Sequence, residues 1–317
     1  MMEDTFNPLR EALALCGGYR DAISSQLRAV DVRSEDAGAL AAELAAQCKV
    51  YVSLNPRYEA STVTFKSWAN NHGLHPAFQD DERFGIAFLY KHQEAAILAI
   101  QRNRHTLITA GTGSGKTECF TIPVLDWCLK NAPGAGGIQA IFIYPMNALA
   151  GDQIRRLSRV VCGTPLKYGI YVGSTPQSDA TISPAERGAR DPARLYTRFE
   201  MQQHPPDLLL TNHVQLDWIL TSEAGREMLQ KSSSTLRFVV VDELHTFRGS
   251  RATHLRYLLR RLRDVTGAMP VMIGASATLG DDVAAIEQFG AKIFDVPVCV
   301  VRAEGEPNAL PRRPDLP

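Results

Sequence analysis

The segment AGTGSGKT at residues 110–117 restricts this chain more than any other stretch. Gly111, Gly113 and Gly115 fall within five residues, and bare backbone of that kind lets successive N–H groups turn inward around an anion. Lys116 is spaced to reach the β and γ oxygens of a nucleotide, and the Thr117 hydroxyl to ligate Mg²⁺. The spacing is that of a phosphate loop with Ala110 in place of the first glycine. Such a loop requires a strand before it and a helix after it. TLITA (106–110) leads in, and Thr117 to Leu129 leads out with Phe120, Ile122, Val124, Leu125 and Leu129. Pro123 is a mild irregularity in that helix. Gly111, Thr112, Gly113, Ser114, Gly115, Lys116 and Thr117 are therefore the expected phosphate-binding set.

The surrounding pattern predicts an α/β fold. Short apolar runs at 106–110, 140–145, 168–172, 207–211, 237–243 and 271–278 alternate with helical patterns. Nearly continuous apolar strands of this kind imply a parallel sheet covered on both faces. Ligands of such sheets sit at the carboxyl ends of the strands. Residues 86–301 read as this domain. Residues 1–85 read as an accessory segment, largely helical: Ser34 caps a helix that carries Glu35 and Asp36 in its first turn. Ala37, Leu40, Ala41, Leu44 and Ala45 then recur at helical spacing. The stretches YVSLNPRYEASTVTF and NNHGLHPAFQDDERFG lack a clean period and read as connecting structure. Residues 302–317, rich in proline, read as a linker.

In RFVVVDELHTFRG (237–249), Asp242 and Glu243 end a β-rich run. Beside a phosphate loop, one such carboxylate can hold Mg²⁺ and its neighbour can orient the attacking water.

With these two motifs in place, the chain resembles the superfamily 2 helicases of the DExH type. Asp242-Glu243-Leu244-His245 stands where their second motif lies. Leu89-Tyr90-Lys91-His92-Gln93 resembles the glutamine motif, YPMNALAGDQ (144–153) motif Ia, and IGASATLG (273–280) motif III. The stretches YVGSTP (171–176), LLLTNHVQLDWIL (208–220) and DELHTFRG with HLRYLLRRLR narrow the resemblance. They resemble the DNA helicases of the MrfA/Hrq1-related group and large bacterial defence-associated helicases. The resemblance implies a RecA-like motor domain using ATP and Mg²⁺, with Lys116, Asp242, Glu243 and His245 as the catalytic group. It implies Thr117 and Asp242 at the metal, Gln93 at the adenine edge, and Ser276 and Thr278 transmitting nucleotide state. It further implies nucleic-acid contacts at Pro145, Asn147, Gly173, Thr211 and Asn212. A second RecA-like domain, in cis or in trans, would supply an arginine finger. No second pattern of that kind follows Thr278, so the chain is expected to be the first motor half, weakly active or inactive alone.

The residues themselves say less about nucleic acid. Lys+Arg and Asp+Glu are equal at 34 each, so no global positive field argues for it. In DQIRRLSRVV, apolar positions 154, 157, 160 and 161 leave Arg155, Arg156 and Arg159 more exposed. Arg155 and Arg156 are the phosphate-contact candidates on that helix. DNA is the substrate implied by the resemblance, and RNA stays open because phosphate contacts do not report the sugar. A regulatory or assembly module that binds nucleotide without turnover is the alternative. A kinase or GTPase is disfavoured by DELH, SAT and Gln93 together. The six cysteines form no CxxC pair, no apolar run approaches the ~20 residues of a membrane span, and no signal leader is evident. The expected setting is cytoplasmic, with no membrane partner.

Overall fold

The computed structural model describes residues 57–79, 84–111, 113–131, 134, 136–145, 152–181, 190–277, 279–280, 282–303 and 305–306. All belong to the compact unit Pro56–Pro317. The helix expected from Ser34 lies outside the described residues.

The described chain enters through β1 (Arg57–Tyr58), β2 (Ala60–Thr64), α1 (Phe65–Asn71) and β3 (Phe88–Tyr90), with β2 and β3 paired antiparallel. Part of what reads as connecting sequence is thus regular structure. The Thr64 hydroxyl caps α1 by accepting from the Ser67 N–H at 3.4 Å. Phe65, Trp68 and Phe78 join the same apolar core as Ile97 and Phe120.

All six apolar runs form strands of one parallel sheet. These are β4 (Thr106–Thr109), β5 (Ala140–Tyr144), β6 (Tyr168–Tyr171), β8 (Leu208–Asn212), β9 (Phe238–Val241) and β10 (Val271–Ser276). The sheet gains β7 (Arg194–Leu195) and β11 (Cys299–Arg302), giving the order β11-β4-β10-β9-β5-β8-β6-β7. The helices are α2 (Lys91–Gln101), α3 (Lys116–Lys130), α4 (Asp152–Val161), α5 (Arg198–Gln203), α6 (His213–Thr221), α7 (Glu223–Gln230), α8 (Ser250–Thr266) and α9 (Val283–Phe294). They cover both faces.

Alternate strand residues divide between two apolar clusters, as a pleat of period two requires. Ala140, Phe142 and Tyr144 meet α1 to α4, whereas Ile141 and Ile143 meet α5 to α9. Burying a side chain such as Phe142 stabilises by about 1.5–3 kcal/mol, which explains why both faces of these strands are apolar. Pro123 lies buried inside α3, which continues to Lys130 despite the missing N–H. Residues 305–306, in the stretch that reads as a linker, form β12 (Gly305–Glu306), antiparallel to β1. Among the described residues, no helix is long and apolar enough to cross a membrane.

Candidate nucleotide site

The sheet order decides what surrounds the glycine-rich loop. β10 and then β9 stand between β4 and β5, although both come much later in the chain. Leu107, Gly274 and Val241 are level across β4, β10 and β9. The residues just beyond those strands therefore converge at one edge: the loop after β4, Ser276 at the end of β10, and Asp242 after β9. The Ala110 N–H donates to the Ser276 carbonyl at 3.1 Å, fastening the loop's first residue to the neighbouring motif.

Gly113 and Gly115 adopt positive φ of 77° and 73°, a region that penalises a Cβ. Gly115 is the N-cap of α3, so the loop ends on the N-terminus of a helix of 15 residues, where backbone N–H groups and the helix dipole favour an anion. The Lys116 ammonium donates to the Ala110 and Gly111 carbonyls at 2.9 and 3.1 Å, which holds it over the loop. Thr117, the second residue of α3, lines the same cavity, whose volume is about 1000 Å³. Tyr90, Gln93, Gly113 to Glu118, Asp242 and Glu243 contribute to its wall.

Gln93 is buried and its amide is used on both sides. Its carbonyl oxygen accepts from the Tyr90 N–H at 2.8 Å, and its NH₂ donates to the Gly115 carbonyl at 2.9 Å. The first bond satisfies an N-terminal group of α2 and the second ties that helix to the loop. His92, on the preceding residue, makes a parallel tie through Nε2 to the Ser114 carbonyl at 2.9 Å. Burial holds the His92 pKa below its ordinary value, with a smaller lowering from Lys116, so the ring is neutral and donates through Nε2. The spacing of LYKHQ carries no signal for that role, because a lone histidine on a helix is usually packed or solvated.

Asp242 is buried, and burial pushes its carboxyl up to about 6. The Glu243 charge raises it further, while the Glu243 N–H and Lys116 act against that rise. Glu243 itself sits at φ 49°, a left-handed conformation uncommon for a residue with a Cβ, which turns the chain sharply after β9. Its N–H donates to Asp242 Oδ1 at 2.8 Å. His245 Nδ1 lies 3.2 Å from Glu243 Oε2 and 3.2 Å from the Ser276 hydroxyl, linking the DELH and SAT motifs. Thr112 and Thr278 lie outside the described residues.

The other expected residues divide by location. Arg155 and Arg156 are exposed on α4, and with Arg159 they line the nucleotide cavity. Arg156 pairs with Glu118 of α3 at 3.0 Å. Pro145 follows β5, half-buried, and Asn147 lies outside the described residues. Gly173, Thr211 and Asn212 cluster at the carboxyl ends of β6 and β8, farther along the sheet. Thr211 donates to the Tyr171 carbonyl at 2.7 Å, and Asn212 caps α6 by accepting from the Gln215 N–H at 2.9 Å. Arg198 donates to the Val172 and Gly173 carbonyls and lies over the rings of Tyr171 and Trp218.

Comparison with known proteins bears directly on this geometry. The profile of the DEAD/DEAH box helicase family matches residues 90–286, more than half of the chain. The uncharacterized ATP-dependent helicase YprA of Bacillus subtilis is 29% identical over 233 residues, covering 71% of this chain and 27% of that protein. Among solved structures, the helicase Lhr of Mycobacterium smegmatis bound to ssDNA and AMP-PNP is similar with TM-score 0.55 and 28% identity. That match covers 73% of this chain and 28% of the other. MrfA bound to DNA and AMPPNP shares the fold, with TM-score 0.58 and 24% identity, over 85% of this chain and 34% of the other. The chain spans about a quarter or less of the length of the curated relatives it matches.

Proposed function

The chain belongs to the DEAD/DEAH box helicase family, and on that premise we propose that it is the ATP-binding half of an ATP-dependent DNA helicase or translocase. The observation that carries the reading is the convergence of Lys116, Asp242, Glu243, His245 and Ser276 at the carboxyl ends of three adjacent strands. In this reading the loop N–H groups and Lys116 bind the polyphosphate of ATP.

The donor set fits Mg²⁺. A hydroxyl from Thr117 and a carboxylate from Asp242 are hard oxygen ligands on the wall of one cavity. Few protein ligands suit this ion, which usually keeps waters and takes its remaining ligands from phosphate. When bound, the ion would neutralise charge developing on the phosphates. Glu243 orients the attacking water and accepts its proton. His245 and Ser276, with Thr278, relay the state of the site toward the nucleic-acid surface. Gln93 positions the loop through Gly115 and stands on the wall where an adenine edge would be read.

For nucleic acid we propose contacts at the carboxyl ends of β5, β6 and β8, through Pro145, Asn147, Gly173, Thr211 and Asn212. DNA is favoured because Lhr and MrfA are described bound to it. Arg155 and Arg156 are candidate phosphate ligands on α4, with Arg159 beside them. A second RecA-like domain is needed to complete the cleft and to supply an arginine finger, and the setting is cytoplasmic. The test is ATPase activity of the complete polypeptide with and without single-stranded DNA or RNA. Stimulation by DNA supports the reading, stimulation by RNA alone reassigns the substrate, and ATP binding with no turnover under either condition favours a regulatory module.

A further inference from the structure

We propose that Tyr58, which precedes every recognised motif, is a positioning residue for the phosphate loop, holding its first glycine from outside the cavity. The proposal rests on the nucleotide-binding reading above.

Tyr58 is 8% exposed, and its buried hydroxyl has no hydrogen-bond partner among the described residues. Leaving a hydroxyl in that condition is unfavourable, so its location calls for a reason. That oxygen lies 2.6 Å from where a Cβ on Gly111 would stand, with the ring carbon Cζ at 4.0 Å. The φ of Gly111 is outside the left-handed region, so its backbone would accept an alanine. The Tyr58 hydroxyl is the atom that such a Cβ would meet, so one of the two must shift.

The same ring reaches the far side of the loop. Tyr58 packs at 5.3 Å between centroids on His92, whose Nε2 holds the Ser114 carbonyl, and edge-on to Tyr90 at 5.7 Å. One aromatic ring therefore bears on Gly111 directly and on Ser114 through His92. Tyr58 does not line the cavity, so its influence on a bound phosphate runs through the backbone of the loop.

Three backbone connections hold Tyr58 in place. β1 pairs with β12, with Tyr58 opposite Gly305. The neighbouring Glu59 carbonyl accepts from the Lys91 N–H at 2.9 Å, and Ala60 stands opposite Tyr90. The loop is thereby tied to β12, the strand that follows β11.

A double-mutant cycle on Gly111→Ala and Tyr58→Phe, read by binding of a fluorescent ATP analogue, tests this. Gly111→Ala should weaken binding by about tenfold or more, Tyr58→Phe alone should change it less than about threefold, and the double variant should return to within about threefold of the parent. In the parent background, Tyr58→Ala should accelerate hydrogen exchange of the amides of residues 111–115. A double variant as weak as Gly111→Ala, or a Gly111→Ala variant that binds like the parent, overturns the proposal. Should the parent chain bind no nucleotide, the ATP reading fails. The positioning contact is then judged by the same cycle in thermal unfolding, where Tyr58→Phe must restore the midpoint lost in Gly111→Ala and strictly additive effects would refute it.

Discussion

The Nδ1 of His245 lies 3.2 Å from the hydroxyl of Ser276, so the third motif touches the second through one imidazole that also stands 3.2 Å from Glu243. Ser276 is fully buried, and its carbonyl accepts from Ala110 at the mouth of the phosphate loop. One residue therefore contacts two parts of the site. Ser276→Ala should retain ATP-analogue binding while lowering nucleic-acid-stimulated turnover by about two- to tenfold, the range for losing one ordinary hydrogen bond. Measuring Kd for the analogue beside stimulated kcat separates the two, and an equal loss in both would argue against a relay.

Lys116→Ala and Glu243→Gln should each abolish ATP hydrolysis, for different reasons. The lysine, held between the Ala110 and Gly111 carbonyls, is the phosphate ligand of the proposed reading, so its removal should weaken nucleotide binding. Glu243→Gln keeps the shape but removes the proposed base, so ATP should remain bound and unhydrolysed. Equilibrium binding and single-turnover hydrolysis of labelled ATP distinguish these outcomes.

Gln93→Ala removes the acceptor of the Tyr90 N–H and one donor to the Gly115 carbonyl, which keeps the Cys119 thiol at 3.6 Å. A backbone group stranded this way costs about 1–3 kcal/mol, so nucleotide affinity should fall about tenfold through a loosened loop. Loss of preference for ATP over GTP in the same variant would add adenine reading to its positioning role, whereas an unchanged ratio would confine it to the loop.

Asp207 is 2% exposed and collects three donors at the other end of the sheet. These are the Gly134 N–H at 3.0 Å, Gln139 Nε2 at 2.6 Å and the Lys167 N–H at 2.7 Å. It gathers the chain ahead of β5, β6 and β8. Asp207→Ala should destabilise the fold by roughly 3 kcal/mol or more, since hydrogen bonds to charged groups contribute about 1.5–3 kcal/mol each. Chemical denaturation checks this, with the nucleotide Kd of the folded variant expected to stay unchanged.

Burial holds the pKa values of His92, His105 and His213 below the ordinary 6.5, so the unfolded chain takes up more protons as the pH falls through that value. Stability that comes from keeping these rings neutral is fully present above 6.5 and is lost as the pH falls toward their lowered folded values. Asp242, raised to about 6, works in the opposite direction but is one group against three. Denaturation midpoints should therefore be lower at about pH 6 than at about pH 7.5, and His213→Gln should reduce the difference. A midpoint that rises on acidification would contradict this assignment.

Sequence alone determined the local chemistry: the loop from Gly111 to Thr117, the acid pair Asp242–Glu243 and the six apolar strands. Each is written in contiguous residues, because periodicity and turn chemistry act over a few positions along the chain. Only the tertiary structure decided which of these meet. The insertion of β9 and β10 between β4 and β5 places Asp242 and Ser276 beside Lys116, and no local pattern encodes strand order. It also placed Arg155 and Arg156 on the wall of the cavity that Lys116 and Asp242 line. It recruited His92, Tyr58 and Asp207, whose roles depend on partners brought close by the fold. Such contacts join segments up to 73 positions apart, as with Gly134 and Asp207, and arise from packing and hydrogen-bond saturation in the closed core.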